Sequence, residues 1–203
     1  MELIDYFEQQ GKKNANSIQA LKLIEKFYPD IDYKNNLNPS QFITQVFDNI
    51  EKKFKPSNTT RGAIFEYLIM CVFFKNDIKP FFYQAELSFV PNLKFDFILF
   101  DTNKNPIIIS VKTSSGERYK QVELESYVAK QVHKKCKCVF ITYDNESIRF
   151  IDRKKQLSEI VYIDEAYSAK EKKFNDFIKR LSNLDYIHPE KIDYIKEGIF
   201  LGG

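Results

Sequence analysis

The sequence contains only three cysteines and no long apolar run, and these absences exclude several classes of protein. Cys136 and Cys138 lie two residues apart, but no second pair completes a zinc site. No apolar segment reaches the roughly 18 residues that a membrane-spanning helix needs, and the first residues lack the pattern of a signal peptide. We therefore expect a reduced, cytoplasmic protein.

An excess of charge of one sign is also missing. The chain has 31 basic and 28 acidic residues, for a net charge of +3. A protein that binds nucleic acid by charge alone is far more basic, but an enzyme that gathers carboxylates around a metal dilutes its own basic signature. The charge balance therefore excludes neither. Its 203 residues, 43% of them hydrophobic, are enough for one well-packed domain.

Hydrophobic spacing divides the chain into a helical beginning and a mixed remainder. Helices are predicted at residues 17–27, 39–54, 60–76, 117–134 and 168–181. Strands are predicted at residues 84–90, 94–101, 106–112, 137–143, 147–152 and 159–164. This order predicts an α/β fold, in which a central mixed β-sheet is flanked by helices. We expect a single domain over 1–203, with a helical N-terminal region (1–55), a core (60–143) and C-terminal strands with a helix (144–203).

Two charged residues lie in the predicted strands, where apolar residues surround them. Asp96 belongs to a strand that is apolar on both faces, and Lys112 ends the next strand. The turn residues 101–106 between these strands predict a hairpin. A buried charge is costly unless it is paired or bound to metal, so the pair suggests a phosphodiesterase site. Alternatively, Asp96 caps a turn and the Lys112 side chain extends to solvent.

The helix predicted after Lys112 carries an acid on its apolar side. On a helical wheel, Glu125 falls within the stripe formed by Val122, Val128, Ala129 and Val132. Gln121 lies beside Glu125, one turn earlier. Glu123 falls on the opposite side, so we interpret it as a solvated residue.

Glu66 is a similar exception on the helix predicted at 60–76. Apolar residues surround most of this helix, and Gly62 lies one turn before Glu66. A glycine at that point allows another backbone or a ligand to approach closely. The alternative is a structural ion pair between Glu66 and Arg61.

Asp96, the run Ser110-Val111-Lys112-Thr113-Ser114 and the run from Glu117 to Gln121 resemble the PD-(D/E)XK nucleases, in particular type II restriction endonucleases. The resemblance covers about residues 60–143 and implies a restriction-endonuclease-like core.

The resemblance has two departures. Phe95 stands where the family often has a proline before the aspartate, and Ser110 stands where the usual pattern has an acid two residues before the lysine. One branch of restriction enzymes is similar in carrying Ser-Val-Lys and in taking the missing carboxylate from the following helix. Glu125 lies thirteen residues after Lys112 and matches that migrated position. Glu66 matches a glutamate that the family commonly places on the helix before the strands.

The resemblance implies Mg²⁺-dependent hydrolysis of double-stranded DNA. Asp96 and Glu125 would hold Mg²⁺ through carboxylate oxygens, and Glu66 would bind a second metal or orient an outer-shell water. Lys112 would stabilise the scissile phosphate and assist deprotonation of the nucleophile. Ser110 would hydrogen-bond a water on the metal.

Contacts with DNA are expected from the segment that follows Lys112. Thr113, Ser114, Arg118 and Lys120 are candidates, because hydroxyls and a helix amino terminus suit phosphate groups. Solvent exposure alone is the alternative for Arg118 and Lys120. The resemblance also implies a homodimer on a palindromic site and a cognate DNA methyltransferase as the functional partner.

Two other functions remain open on the sequence. A nuclease of the same fold that acts in DNA repair or recombination would share the site but prefer DNA structure over sequence. A catalytically inactive DNA-binding domain would explain why Ser110 replaces the usual acid.

Overall fold

The computed structural model describes residues 15–27, 37–90, 92–114, 116, 118–189 and 195–201. Of the predicted elements, parts of the helical region at 1–55 and the helix start at Glu117 lie outside the described residues. The helices are α1 (Ala15–Phe27), α2 (Pro39–Phe54), α3 (Asn58–Lys75), α4 (Arg118–Val132), α5 (Asn145–Gln156) and α6 (Lys172–Ser182). The strands are β1 (Phe81–Leu87), β2 (Lys94–Phe100), β3 (Pro106–Lys112), β4 (Lys137–Thr142), β5 (Glu165–Ser168) and β6 (Ile195–Leu201).

The described strands form one mixed sheet in the order β5-β4-β3-β2-β1-β6. The β3–β4 and β4–β5 pairs are parallel, and the other pairs are antiparallel. Strands β2 and β3 form the predicted hairpin, with Phe97 opposite Ile109. The Asp101 carboxylate closes its turn by accepting hydrogen bonds from the backbone N–H groups of Asn103 and Asn105, at 2.9 and 2.8 Å. The predicted α/β fold with a mixed sheet and flanking helices is confirmed.

Helices cover both faces of the sheet because both faces of its central strands are apolar. One face packs against α1, α2, α3 and α6, whose buried residues form a single apolar cluster with Phe97, Leu99 and Ile109. The other face packs against α4 and α5, with Ile98 and Phe140 in the apolar clusters on that side. Among the described residues, no helix combines the length and apolar character required to cross a membrane.

The prediction of a strand at 147–152 is wrong, since these residues lie in helix α5. The Asp144 side chain caps this helix by accepting a hydrogen bond from the backbone N–H of Glu146, at 3.1 Å. Ile148 and Ile151, three residues apart, are buried on its inner side. The short alternation of polar and apolar residues resembles a strand, but the cap and the burial of that inner side favour a helix.

The prediction of a strand at 159–164 is also wrong. These residues form a connecting segment, and strand β5 begins after it, at Glu165. Other element boundaries differ from the prediction as well. Helix α6 begins at Lys172, four residues later than expected. Strand β1 begins three residues before residue 84 and ends at Leu87. Strand β6 was not predicted, because the sequence near the carboxyl terminus lacks a clear alternation and the strand forms by pairing with the distant β1.

Glu123 was interpreted as a solvated residue, and this is also wrong. Its carboxylate accepts hydrogen bonds from three consecutive backbone N–H groups, those of Val161, Tyr162 and Ile163, at 2.6, 2.9 and 3.0 Å. These bonds hold the connecting segment before β5 against helix α4. They also explain why the segment is not a strand, because its N–H groups have a carboxylate as their partner. On the same helix, Val132 is 40% exposed and does not belong to the buried stripe as predicted.

We expect Glu123→Gln to destabilise the protein by about 1–2 kcal/mol, because the charge-assisted bonds to three amides are lost or weakened. Denaturant unfolding at neutral pH measures this change. Glu146→Gln is the matched control, since Glu146 is exposed at the start of α5, and its effect should stay within about 0.5 kcal/mol. Equal stability of the two variants would contradict a structural role for Glu123.

Candidate functional site

Asp96 lies at the centre of the candidate site and is only 6% exposed. Its Oδ2 accepts hydrogen bonds from the backbone N–H of Val111, at 2.7 Å, and from Nζ of Lys112, at 2.9 Å. Its Oδ1 accepts a hydrogen bond from the side-chain amide of Gln84, at 3.0 Å. The carboxylate is therefore bonded to both neighbouring strands, β1 and β3, as a buried charge requires.

The regular alternation of faces is interrupted where Gln84 and Asp96 lie opposite each other. Phe82 and Ala85, three residues apart, belong to the same apolar cluster on the α4 side of the sheet. In β2, Phe95 and Ile98 behave in the same way, so Phe95 does not face away from Ile98 as expected. Gln84 has a left-handed backbone conformation, with φ of 48°. This local irregularity allows side chains near it to meet groups from both faces of the sheet.

Glu66 reaches this point from helix α3. Its Oε2 accepts hydrogen bonds from the Tyr83 hydroxyl and from the Gln84 amide, each at 2.9 Å. The Gln84 nitrogen therefore bonds to the carboxylates of both Glu66 and Asp96. Arg61, the alternative partner considered for Glu66, instead forms an ion pair with Glu51, at 2.5 Å.

The electrostatics of the site reflect its crowded negative charge. Burial, followed by the nearby charge of Asp96, raises the pKa of Glu66 to about 7, although bonds from Tyr83 and Gln84 act in the opposite direction. Burial alone would lower the pKa of Lys112, but the charge and hydrogen bond of Asp96 outweigh it and the net pKa is raised. Lys112 is thus a cation at neutral pH.

Glu125 approaches from helix α4, on the opposite face from α3. Burial raises its pKa, the Gln121 hydrogen bond and the Lys112 charge lower it, and the Asp96 charge raises it further. The bond from the Gln121 side-chain amide to Glu125 Oε1 measures 2.7 Å. The partly buried position expected for Glu125 and its pairing with Gln121 are therefore present.

The structure carries side chains of the kind that bind Mg²⁺. Among the described residues, no three potential ligands already enclose a metal position. However, Glu66 and Asp96 both bond to the Gln84 amide, and the Asp96 charge acts on Glu125. Mg²⁺ prefers oxygen ligands and typically uses one or two carboxylates together with waters. The donor set fits such a cation.

The remaining candidate residues lie on and after strand β3. Ser110 is 4% exposed, and extending the pairing of Phe97 with Ile109 by one residue places it opposite Asp96. Thr113 is 8% exposed, which does not suit a direct surface contact with DNA. Ser114, Arg118 and Lys120 are exposed, as DNA contacts would need to be.

Sequence reasoning missed Gln84 and Tyr83, which both donate to Glu66. A signal was present, because Gln84 is the one polar residue in the run from Phe81 to Ala85. Its bonds to residues 18 positions before it and 12 after it cannot be read from local spacing. The space beside Gly62 holds no atom within 4 Å of an added Cβ, so packing does not require this glycine.

Comparisons with known proteins support the fold. No model of a protein family matches the sequence, and no curated protein matches it either. Among solved structures, the chain is similar to the restriction endonuclease PspGI in a complex with substrate DNA. The TM-score is 0.57, the sequence identity is 16%, and the match covers 82% of each chain. The chain therefore has a restriction-endonuclease-like fold.

The raised pKa of Glu66 predicts a pH-dependent stability. The unfolded chain releases this proton near pH 4.5, whereas the folded protein keeps it until about pH 7. Glu66 therefore lowers stability as pH rises through this window. We expect Glu66→Gln to increase the unfolding free energy by about 2 kcal/mol more at pH 8 than at pH 5, without metal.

Denaturant unfolding in EDTA at the two pH values measures this difference. The same substitution at the exposed Glu146 is the control, and its effect should be similar at both pH values. A Glu66→Gln effect that does not change with pH would contradict the assignment of a strongly raised pKa.

Proposed function

We propose that this protein is a Mg²⁺-dependent type II restriction endonuclease, which hydrolyses phosphodiester bonds in double-stranded DNA at a specific sequence. The observation that carries the proposal is the hydrogen-bonded network of Glu66, Asp96 and Lys112. The restriction-endonuclease-like fold supports the proposal. The similar solved structure is that of a restriction endonuclease in a complex with its substrate DNA. The network supplies acids and a cation at one place, as phosphodiester hydrolysis requires.

Lys112 would stabilise negative charge on the scissile phosphate. Its Nζ is bonded to Asp96 at 2.9 Å, and its pKa is raised, so it carries its proton at neutral pH. A protonated ammonium donates to phosphate oxygens but does not accept a proton from water. We therefore assign Lys112 to charge stabilisation, and not to the deprotonation that the sequence also suggested.

Asp96, Glu66 and Glu125 would hold the metal. Bound Mg²⁺ supplies charge neutralisation and lowers the pKa of a coordinated water. Asp96 is fixed by bonds from two strands, whereas Glu125 is held by Gln121 on a helix. Ser110 would hydrogen-bond a water near Asp96, and Glu125 would supply the carboxylate that Ser110 lacks.

The partners follow from the same proposal. Ser114, Arg118 and Lys120 would contact DNA phosphates near the start of α4, where they are exposed. A homodimer would match the symmetry of a palindromic site, and a cognate methyltransferase would protect the host DNA. The described cysteines form no disulfide, in keeping with the cytoplasmic location that we propose.

The direct test incubates purified protein with unmethylated phage DNA, in Mg²⁺ and in EDTA, followed by electrophoresis. We expect discrete fragments only with Mg²⁺. Lys112→Ala and Asp96→Asn should each lower the cleavage rate by at least about 100-fold, because each removes charge that acts at the reacting phosphate. Lys134→Ala, at an exposed site in the turn after α4, is the control and should cut normally.

The pattern of products separates the other functions. A Mg²⁺-dependent smear, or cutting only at branched or damaged DNA, would favour a repair or recombination nuclease. Intact DNA, together with salt-sensitive binding by folded protein, would favour an inactive DNA-binding domain. Ser110 favours the inactive DNA-binding domain, because the position of β3 that usually carries an acid has no carboxylate.

If Glu125 supplies the migrated acid, a carboxylate introduced at position 110 should replace it. Glu125→Ala should abolish cleavage, and adding Ser110→Asp should restore the rate at least about tenfold, because the acid returns beside Asp96. Cleavage rates at saturating Mg²⁺ measure the restoration. Ser110→Asn in the Glu125→Ala background is the size-matched control. Rescue by neither residue, or equally by both, would contradict the role of Glu125.

A further inference from the structure

Gln84 has an unusual backbone for a residue inside a strand. Its φ of 48° lies in the left-handed region, which long side chains seldom adopt. Such conformations are energetically costly and persist mainly where a functional site requires them. The regular pairing of β1 with β2 continues on both sides of Gln84, from Tyr83–Phe97 to Ala85–Phe95. On its other edge, the pairing of β1 with β6 shifts register between Tyr83 and Leu87. The irregular part of β1 therefore includes the position facing Asp96.

This backbone directs the Gln84 amide at two carboxylates at once. Its nitrogen is 2.9 Å from Glu66 Oε2 and 3.0 Å from Asp96 Oδ1. Tyr83 bonds to Glu66, and Lys112 bonds to Asp96, whereas the Gln84 amide spans both acids. An amide suits this position because its NH₂ group offers two donors and adds no charge.

The two carboxylates belong to separate elements, since Glu66 lies on helix α3 and Asp96 on strand β2. A group that fixes the distance between them reduces the reorganisation needed when a cation binds, and partners of metal ligands commonly act in this way. We propose that Gln84 is a positioning residue, which holds Glu66 and Asp96 at the spacing required by a divalent cation that both acids bind. This inference rests on the proposed metal-dependent function.

Gln84→Asn is the most informative variant. Asparagine adopts the left-handed conformation more readily than glutamine, so the backbone of the strand should be retained. It keeps an amide, but the side chain is one methylene shorter and cannot span both carboxylates. Gln84→Met is the complementary variant, because it keeps the length and removes the donors.

Mn²⁺ binding to the DNA-free protein, followed by electron paramagnetic resonance of the free ion, is the primary readout. We expect Gln84→Asn and Gln84→Met to weaken Mn²⁺ binding by about 10-fold or more, while thermal unfolding shows that the Asn variant remains cooperatively folded. In cleavage assays, the Asn variant should need more Mg²⁺ and recover much of its rate at saturation. Gln156→Asn, at an exposed position in α5, should change neither quantity.

The outcomes separate this inference from the function on which it rests. Wild-type protein that binds Mn²⁺, together with a Gln84→Asn variant that binds it equally well, would overturn the role of Gln84 alone. Wild-type protein that binds no Mn²⁺ would overturn both the role of Gln84 and the proposed metal-dependent function. Weaker Mn²⁺ binding by a folded Gln84→Asn variant, with its cleavage rate recovered at high Mg²⁺, would support positioning, since a purely structural residue would not produce this dependence on the metal.

Discussion

The Asp96 carboxylate is the constraint on which the central part of this structure depends. It is almost fully buried, and it accepts hydrogen bonds from Gln84 of β1 and from Val111 and Lys112 of β3. A buried carboxylate without such partners would cost several kcal/mol. One charge therefore organises the middle of β1, the first half of β2 and the end of β3. The Val111 amide bonds to a side chain where a regular ladder would have used a backbone carbonyl, so the end of β3 depends on Asp96.

This arrangement also explains how acids on opposite sides of the sheet both come under the influence of Asp96. Helix α3 packs on one face and helix α4 on the other, and a regular sheet would keep Glu66 and Glu125 apart. The alternation of faces changes at Gln84 and at Asp96, which lie opposite each other. Glu66 meets Asp96 through Gln84, and the charges of Asp96 and Lys112 act on Glu125. The charge of Asp96 thus acts on an acid of each helix, Glu66 on α3 and Glu125 on α4.

Local patterns were enough to predict part of this organisation. Asp96 and Lys112 could be placed on a hairpin because turn residues separate two apolar runs, and Glu66 and Glu125 because an acid on a packing side is unusual. The role of Gln84 could not be predicted, since it depends on a left-handed backbone and on partners distant in the chain. The prediction for Glu123 was wrong for a related reason. Its position on the helix suggested solvent, but a later segment folds over it and supplies three amides.

The exchange of an acid on β3 for one on α4, as we propose it, would have a physical rationale. An acid at Ser110 would be buried to 4% exposure and would lie opposite Asp96, so desolvation and like charge would both oppose its ionisation. At Glu125 the carboxylate is partly exposed, bonded to Gln121 and within the influence of the Lys112 cation. These partners lower the cost of a second charge near Asp96. With a serine on the strand and a glutamate on the helix, the proposed site would keep its acids at a lower cost of desolvation and charge repulsion.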